Sequence, residues 1–445
     1  LFCSPAPVKT TVVSSFTDTP SLQQIARQAH SDYILFYTGT SPIELHPYAI
    51  GRMYQIAESN DGALFYSDYQ EIRQGKKIHH PTLEYQTGSI RNDFDFGQLL
   101  LFRNDSFQQV VAQMNTDYRF AALYELRLSI SRLGKIVHIP ETLYTVQPTD
   151  LRLSGEKQFD YVDPANREVQ LEMEAVCTAH LQAIGAWLAP EFQRIDFGQE
   201  NFAREASVII PVRNRKRTIA EAVESALQQQ TDFSFNVIVV DNHSTDGTGQ
   251  ILTELSRRYP NLIHHIPAST ELGIGGCWTE AILLPECGKF AIQLDSDDLY
   301  KDCHVLQRIV DTFYQENCAM VIGSYQMVDF KLEEIPPGLI AHREWTPDNG
   351  RNNALRINGL GAPRAFYTPV LRQIKFPNVS YGEDYATALA ISRKYPIARI
   401  YDPLYLCRRW EENSDHDLDI QQLNNYNFYK DKIRTLEIQA RISGK

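Results

Sequence analysis

Segments that favour strands alternate with segments that favour helices in the second half of the chain, and this alternation constrains the fold more than any other feature. One helical pattern opens with a capping box at Thr218 to Glu221 and extends to about Gln229, and another ends near Pro260. Strands and helices at these spacings form right-handed βαβ units, so the sequence predicts an α/β fold with a mostly parallel sheet. The four expected strands are 207–211, 236–240, 261–266 and 290–294.

Three acidic side chains follow the last of these strands, at the end where a parallel sheet binds ligands. Asp295, Asp297 and Asp298 fall within the segment 295–298. Mg²⁺ and Mn²⁺ prefer oxygen ligands and take carboxylates together with phosphate oxygens. The alternative is a turn that only caps a helix starting near Lys301, but three like charges after an apolar strand are unfavourable without a cation. The sequence therefore favours a divalent metal site formed by these aspartates.

Asp241 closes another of the expected strands and begins a turn that runs to Thr248. Its carboxylate is placed to accept a hydrogen bond from a nucleobase. The alternative is structural, because Asp241 can begin an Asx turn and Asp246 can cap the next helix.

Glu383 and Asp384 lie just before a helix expected at Ala386 to Arg393. The helix dipole alone would stabilise carboxylates at this position. In the catalytic alternative, Asp384 accepts a proton from a substrate hydroxyl. Both interpretations remain open at the level of the residues.

A basic and aromatic cluster, Arg408, Arg409 and Trp410, follows near residue 410. Arginine side chains bind phosphate through two parallel hydrogen bonds, and a tryptophan ring can stack on a sugar or a base. His416 is a candidate metal ligand, although a single histidine is more often an ordinary surface residue.

Taken in order, these residues resemble glycosyltransferase family 2, whose members have the GT-A fold. The resemblance covers about Ala206 to His416, and its markers are 207–214, 241–248, 294–298 and 382–384. It implies inverting, metal-dependent transfer of a sugar from a nucleotide-diphosphate sugar to a hydroxyl of a glycan or related acceptor. On the family pattern Asp241 holds the base, Asp297 the ribose and Asp298 the divalent cation, Mn²⁺ or Mg²⁺. Asp384 is the general base, with Glu383 beside it.

The resemblance also assigns further residues to the donor site, and some of them depart from the family pattern. Arg213 follows Pro211 at a position where many relatives carry an aromatic residue. Trp278 lies in the segment 275–279, which replaces the usual Ala-Arg-Asn run. Arg408, Arg409 and Trp410 complete the assigned donor-binding residues. Leu406 stands where processive synthases carry Gln, so a processive polymer synthase is not expected.

The first 150 residues repeat part of the second half of the chain. Residues 33–36 align with 290–293, 45–57 with 302–314, and 130–132 with 391–393. Residues Thr38, Gly39, Thr40 and Ser41 stand opposite the acidic segment 295–298, and Ala122 and Leu123 stand opposite Glu383 and Asp384. The sequence thus predicts an incomplete, non-catalytic GT-A-like domain at 1–150, which lacks the first two strands. A helical connector at 151–205, with one long helix at about 164–188, the catalytic domain at 206–418 and a C-terminal helix at 419–445 complete the expected organisation.

Composition narrows the partners and the compartment. A net charge of -12 argues against nucleic-acid binding, and the chain contains no apolar run approaching the ~18 residues of a membrane span. The seven cysteines are scattered without C-x-x-C spacing, which favours reduced thiols and a cytoplasmic location. Peripheral association with the inner membrane face and a homo-oligomer are compatible with the sequence. The missing initiator Met suggests a fragment. The expected partners are a nucleotide-diphosphate sugar and a glycan, lipid-linked or protein acceptor.

Two other function classes share parts of this pattern. Sugar-phosphate nucleotidyltransferases also combine a parallel sheet with acidic metal sites, but they usually carry a Gly-rich basic loop after the first strand. Here the segment 213–217 is basic and contains no Gly. A non-catalytic scaffold with the same fold is the third possibility, and the retention of carboxylates in only the second copy argues against it.

Overall fold

The computed structural model describes residues 10–13, 15–147, 166–198, 200–410 and 418–444. These residues form two compact units. The first unit draws on the segments 1–187, 355–357 and 418–445, and the second on 188–354 and 358–417. Within the described residues, every helix is too short or too polar to span a bilayer.

The first unit is a mixed sheet covered by helices on both faces. Alternate residues of its strands point to opposite faces, so Leu64 and Tyr66 pack with one core cluster and Phe65 packs with the other. Its elements before residue 188 are α1 (Thr19–Gln28), β1 (Tyr33–Tyr37), β2 (Ile43–Leu45), α2 (Ala49–Glu58), β3 (Gly62–Arg73), β4 (Lys76–His80), β5 (Leu99–Arg103), α3 (Asn104–Gln113), α4 (Ala122–Leu133), β6 (Lys135–Val146) and α5 (Arg167–Ala183).

The second unit contains the larger sheet. Its elements are β7 (Ala206–Val212), α6 (Ile219–Leu227), β8 (Phe235–Asp241), α7 (Thr248–Arg258), β9 (Leu262–His265), α8 (Ile274–Leu283), β10 (Phe290–Gln293), β11 (Leu299–Tyr300), α9 (Val305–Glu316), β12 (Met320–Val328), β13 (Glu334–Ile340), α10 (Gly350–Asn353), β14 (Arg364–Tyr367), α11 (Thr368–Ile374), α12 (Glu383–Ser392) and β15 (Ile397–Arg408). The final helix, α13 (Ile420–Ile442), belongs to the first unit.

The four strands expected from the sequence are present as β7, β8, β9 and β10. β10, β7, β8 and β9 pair in parallel in that spatial order, and the residues of β8 from Val237 to Val240 are fully buried. A strand covered on both faces must be apolar at consecutive positions, which is why these segments could be recognised. The α/β class is therefore confirmed.

The expectation of a mostly parallel sheet is wrong in detail, because the sheet is mixed. β14 lies between β10 and β12 and is antiparallel to both, and β11 and β13 also pair antiparallel with their neighbours. β14 has only the four residues Arg364–Tyr367. So short a strand carries too little periodicity to be recognised from the sequence.

Three helix boundaries also differ from expectation. The α12 helix begins at Glu383, one turn earlier than expected, and α9 begins at Val305 after the short strand β11. The connector helix α5 ends at Ala183, and the expected start near 164 lies outside the described residues. Segments 186–196 and 200–205 are not helical.

The capping box at the start of α6 is absent. The hydroxyl of Thr218 makes no capping hydrogen bond to the helix, and its Oγ1 is buried without a hydrogen-bond partner among the described residues. The side chain of Glu221 pairs instead with Arg408. The carboxylate of Glu221, which the local pattern assigned to the start of α6, therefore pairs with an arginine that is distant in sequence.

Strand order confirms the internal repeat. The first unit has the order β1-β5-β3-β6-β2, with β4 paired to β3. The second has the order β10-β14-β12-β15-β11, with β13 paired to β12, and each pairing has the same direction as its counterpart. Nothing among the described residues of the first unit corresponds to β7, β8 and β9, so three strands are missing where the sequence predicted two.

A histidine in the first unit makes its stability depend on pH. His80 stacks on Tyr69 with 4.4 Å between ring centroids, and its Nε2 lies 3.0 Å from Asp95 Oδ2. Burial alone would lower the pKa of His80. Hydrogen bonds and charge from Asp95 and Glu71 outweigh burial and raise that pKa to about 9.

The raised pKa fixes the sign of the effect. The protonated imidazole stabilises the folded state fully below its unfolded pKa of about 6.5, and this contribution disappears as the pH rises through about 9. We expect His80→Gln to destabilise the unit by about 1–3 kcal/mol at pH 6, and the difference to shrink toward pH 10. Hydrogen exchange of the β3 amides, corrected for intrinsic rates, measures this. His30→Gln, at an exposed position, should change little, and a difference independent of pH would contradict the assignment.

Candidate active site

The acidic turn 295–298 follows β10 after Leu294, and contacts from two strands hold it in place. Gln293 Nε2 donates to both carboxylate oxygens of Asp295, at 2.9 and 3.0 Å. The backbone N–H of Asp295 donates to the hydroxyl of Tyr405 at 2.9 Å. Asp298 Oδ1 accepts the backbone N–H of Arg408 at 2.8 Å. The turn is thus fixed by β10 itself and by the end of β15.

The charges of this turn oppose one another. Asp298 is 5% exposed, and burial raises its pKa well above the usual range, with further contributions from the charges of Asp297 and Asp295. Burial also raises the pKa of Asp295, although the charge of Arg364 opposes that shift. Bound positive charge would relieve both shifts, because it stabilises the ionised carboxylates.

The carboxylates of the acidic turn are suitable ligands for Mg²⁺ or Mn²⁺ when the ion also binds a nucleotide. Either ion needs only one or two protein carboxylates when phosphate oxygens and water complete the shell. Within the described part of the chain, no three His, Cys, Asp or Glu side chains are already arranged around one point. Asp298, with Asp297 or Asp295, would supply the protein ligands. His416, the fourth expected ligand, lies outside the described residues.

Arg408 contacts the acidic turn through both its backbone and its side chain. Its side chain is 1% exposed, its Nε donates to the backbone carbonyl of Asp297, and its guanidinium pairs with Glu221. The sequence assigned Arg408 to the donor phosphates. The contacts show that it fixes the backbone that carries the aspartates, and its neighbour Arg409 continues the strand pairing by donating its N–H to Val328 at 2.9 Å.

Asp297 faces the basic loop that follows β7. The indole Nε1 of Trp410 donates to Asp297 Oδ2 at 3.1 Å, and Arg215 Nε lies 3.8 Å from the same oxygen. Trp410 is 7% exposed, and its ring also contacts Arg217, with 5.3 Å from the guanidinium carbon to the centroid. The structure thus brings Trp410 to the acidic turn. Arg215 was not among the residues assigned from the sequence.

Asp241 lies at the end of β8 with both carboxylate oxygens in use. Oδ1 accepts the backbone N–H of Ser244 at 2.9 Å, and Oδ2 lies 3.3 Å from His264 Nε2. Burial alone would raise the pKa of Asp241, but these hydrogen bonds lower it. Gly249 keeps space beside this carboxylate, because a Cβ there would lie 3.0 Å from Oδ2. His264 was missed from the sequence, although it lies in one of the four expected strands.

Asp384 is connected to the acidic turn through Arg364, a residue that the sequence gave no reason to select. Arg364 Nη1 forms an ion pair with Asp384 Oδ2. Burial alone would lower the pKa of Arg364. The charges of Asp384 and Asp295 outweigh burial and raise that pKa, with a smaller contribution from Glu383. The N–H of Arg364 also donates to Gln293 Oε1 at 3.1 Å, and Gln293 holds Asp295.

Glu383 and Asp384 have different surroundings, because Asp384 pairs with Arg364 and Glu383 is buried. Burial raises the pKa of Glu383 to about 8, and the charge of Asp384 adds to the shift. The raised pKa disfavours ionisation of Glu383, and its Oε2 has no hydrogen-bond partner among the described residues. An ionised carboxylate is needed to accept a proton, which favours Asp384 over Glu383 as the base.

The remaining residues assigned to the donor site lie at different depths. Trp278 is 5% exposed and packs between Phe366 and Phe376, with centroid distances of 5.7 and 5.2 Å, which fits a role in the core. Pro211 is half-buried in β7, and Arg213 is exposed in the loop beyond it. The segment 275–279 packs α8 closely against its neighbours, because a Cβ on Gly275 would lie 2.0 Å from the carbonyl oxygen of Pro377.

Comparison with known proteins gives a family match in the region that holds this site. The sequence model of glycosyl transferase family 2 matches residues 207–374. A poly(ribitol-phosphate) beta-glucosyltransferase of Bacillus spizizenii is 24% identical over 50% of this chain and 35% of its own length. A putative teichuronic acid biosynthesis glycosyltransferase of Bacillus subtilis, TuaG, is 26% identical over 44% of this chain and 74% of its own.

A solved structure also resembles part of the chain. The crystal structure of residues 1–349 of TarS from S. aureus, in complex with UDP-GlcNAc, has a TM-score of 0.41 and 23% identity, and the match covers 53% of this chain and 72% of that one. Among the curated relatives, the chain spans 37% and 35% of the length of the first two that it matches.

Proposed function

We propose a reaction and residue roles for the family 2 glycosyltransferase domain that this chain contains in residues 207–374. The domain transfers a sugar, with inversion, from a nucleotide-diphosphate sugar to a hydroxyl of a glycan or related acceptor. The observation that carries this proposal is the chain of contacts from Asp384 through Arg364 to Gln293 and Asp295. It connects a candidate base with a candidate donor site.

The donor is held on the acidic side of this arrangement. Asp241 faces the nucleobase and Asp297 the ribose, and the diphosphate lies beside Asp298. A divalent cation held by Asp298 would supply positive charge that stabilises the departing diphosphate. Arg408 keeps the turn in position, because its backbone N–H donates to the carboxylate of Asp298 and its side chain donates to the backbone carbonyl of Asp297.

Asp384 serves the acceptor. Its carboxylate takes the proton of the acceptor hydroxyl while the hydroxyl oxygen forms a bond to the anomeric carbon of the donor sugar. The bond from that carbon to the diphosphate oxygen breaks on the opposite face, and the nucleoside diphosphate leaves. A base on one face and charge stabilisation on the other explain inversion in one displacement. The cysteine pattern favours a cytoplasmic site for this reaction, with peripheral membrane association as one arrangement.

A donor panel tests the proposal. We expect the purified chain with Mn²⁺ or Mg²⁺ to hydrolyse at least one UDP-, GDP- or dTDP-sugar slowly, because water can replace the acceptor. Chelation with EDTA should reduce this rate to background, and added Mn²⁺ should restore it. Nucleotide release, measured by chromatography, provides the readout. If every donor failed both to bind and to turn over with either cation, the proposed function would be abandoned.

A further inference from the structure

The basic loop after β7 is held rigidly at the edge of the site. Asn214 adopts a left-handed conformation with φ of 55°, and its N–H donates to Ser244 Oγ at 2.9 Å. The N–H of Arg215 donates to Thr248 Oγ1 at 2.9 Å, and the N–H of Lys216 donates to Asp246 Oδ2 at 3.0 Å. Four cationic side chains, at positions 213, 215, 216 and 217, are therefore presented from a fixed backbone in a chain of net charge -12.

Aromatic rings orient two of these arginines. The guanidinium carbon of Arg217 lies 4.3 Å from the ring centroid of Phe330 and 5.3 Å from that of Trp410. That of Arg215 lies 5.7 Å from the Trp410 centroid. We call Arg215, Arg217, Phe330 and Trp410 the arginine–aromatic surface. A guanidinium that lies over a ring can present N–H edges that match the oxygens of a phosphate. Arg215 also donates its Nη1 N–H to the carbonyl of Asn214 at 3.2 Å and lies 3.8 Å from Asp297.

The surface lies next to the acidic turn but differs from it in accessibility. Trp410 contacts both Asp297 and Arg217 and so joins the two regions. Asp241 and Asp298 are buried, whereas Arg217 and its neighbours Arg213 and Lys216 are exposed. Buried groups suit a compact donor. Exposed, preorganised cations suit an extended ligand that continues along the surface.

We propose that the arginine–aromatic surface, with Arg213 and Lys216, binds a phosphodiester of the acceptor, so that the acceptor is a phosphate-containing polyol or glycan chain. This inference rests on the proposed function and names its acceptor class. The donor also carries phosphate, but in the proposed function its diphosphate binds at the acidic turn, where a cation held by Asp298 would neutralise it. A phosphodiester chain placed beside Asp297 would bring a neighbouring hydroxyl toward the bond that the reaction breaks.

Equilibrium binding to the full chain tests the acceptor assignment without any turnover. The probe is a fluorescently labelled ribitol phosphate oligomer in about 0.1 M NaCl, followed by anisotropy. We expect Arg217→Gln to weaken binding of this probe roughly tenfold. The affinity of Arg217→Lys should lie between those of Arg217→Gln and the wild type, because lysine keeps the charge but cannot form two parallel hydrogen bonds to phosphate. The slope of affinity against salt should also fall in Arg217→Gln.

Matched measurements separate the phosphate sources. Arg257→Gln removes one exposed charge at the far end of α7, and its probe affinity should stay within about twofold of wild type. Binding of UDP and GDP with Mn²⁺ should be unchanged in Arg217→Gln. A selective loss of nucleotide binding in Arg217→Gln would overturn the acceptor assignment and place Arg217 in the donor site. Equal losses of oligomer affinity in Arg217→Gln and Arg257→Gln would show that the oligomer binds by non-specific charge attraction.

Two further outcomes also decide against the inference. A wild-type chain that hydrolyses a donor but does not bind the oligomer would leave the proposed function intact and refute the acceptor class. Equal affinity for polyacrylate of the same length would show that the surface does not select phosphate. Failure of the donor panel with retained oligomer binding would instead refute the proposed function alone.

Discussion

Replacing Asp298 with asparagine is expected to reduce donor hydrolysis by about two to three orders of magnitude while leaving the fold intact. Asparagine keeps an oxygen that can accept the backbone N–H of Arg408, which Asp298 Oδ1 accepts at 2.8 Å. It removes the negative charge that would hold the cation. Initial rates with the donor identified by the panel, at saturating Mn²⁺, measure the effect.

The same substitution should affect stability in the opposite direction. Burial and the charges of Asp297 and Asp295 oppose ionisation of Asp298 in the folded chain. A neutral side chain removes this repulsion, so Asp298→Asn should melt at the same or a higher temperature than the wild type when no divalent cation is added. Asp302→Asn is the matched control, because Asp302 is partly exposed and pairs with Arg308. A variant at position 298 that is both inactive and less stable would indicate a structural role.

Consecutive apolar residues made the parallel part of the second unit predictable. β7, β8 and β10 are buried on both faces, so the sequence carries an uninterrupted signal over each of them. The acidic residues that follow such strands could be placed at one edge of the sheet for the same reason. The position of the acidic turn therefore follows from local pattern together with topology.

Long-range pairings were not predictable in this way. Arg408 pairs with Glu221, 187 positions away, whereas the local pattern placed Glu221 in a capping box at the start of α6. Arg364 reaches Asp384 from a four-residue strand that has no periodic signal. The partner of a side chain depends on which segments meet in the folded chain. Local sequence patterns do not show which distant segments come together.

The internal repeat also includes a position that corresponds to Arg364. The strand registers place Leu100 of the first unit at the position of Arg364, because β5 pairs with β3 as β14 pairs with β12. The repeat therefore lost the arginine together with the carboxylates at 295–298, 383 and 384. An arginine needed only for packing could have remained. Its joint loss supports a connection between Arg364 and the chemistry of the site.

Replacing Asp384 with asparagine should reduce transfer by roughly two to four orders of magnitude, because the acceptor hydroxyl loses its proton acceptor. Nucleotide binding should remain within about twofold of wild type, since Asp384 takes no part in the proposed donor contacts. Asp298→Asn should instead weaken the Mn²⁺-dependent binding of the nucleotide. Binding by calorimetry and single-turnover transfer rates separate the two variants.

Variants of Arg364 test whether this arginine acts through Asp384 or contacts the substrate itself. If Arg364 positions the base, Arg364→Leu should lower the rate constant of transfer toward that of Asp384→Asn and leave donor binding unchanged. Leucine is the residue at the corresponding position of the first unit. Arg364→Lys should recover part of the rate. The double variant Arg364→Leu with Asp384→Asn should then be no slower than Asp384→Asn alone, because the arginine acts through the carboxylate. Additive losses would mean that Arg364 contacts substrate directly. An unchanged rate in Asp384→Asn would remove the base from the proposed mechanism and, with it, the reason for the arginine beside it.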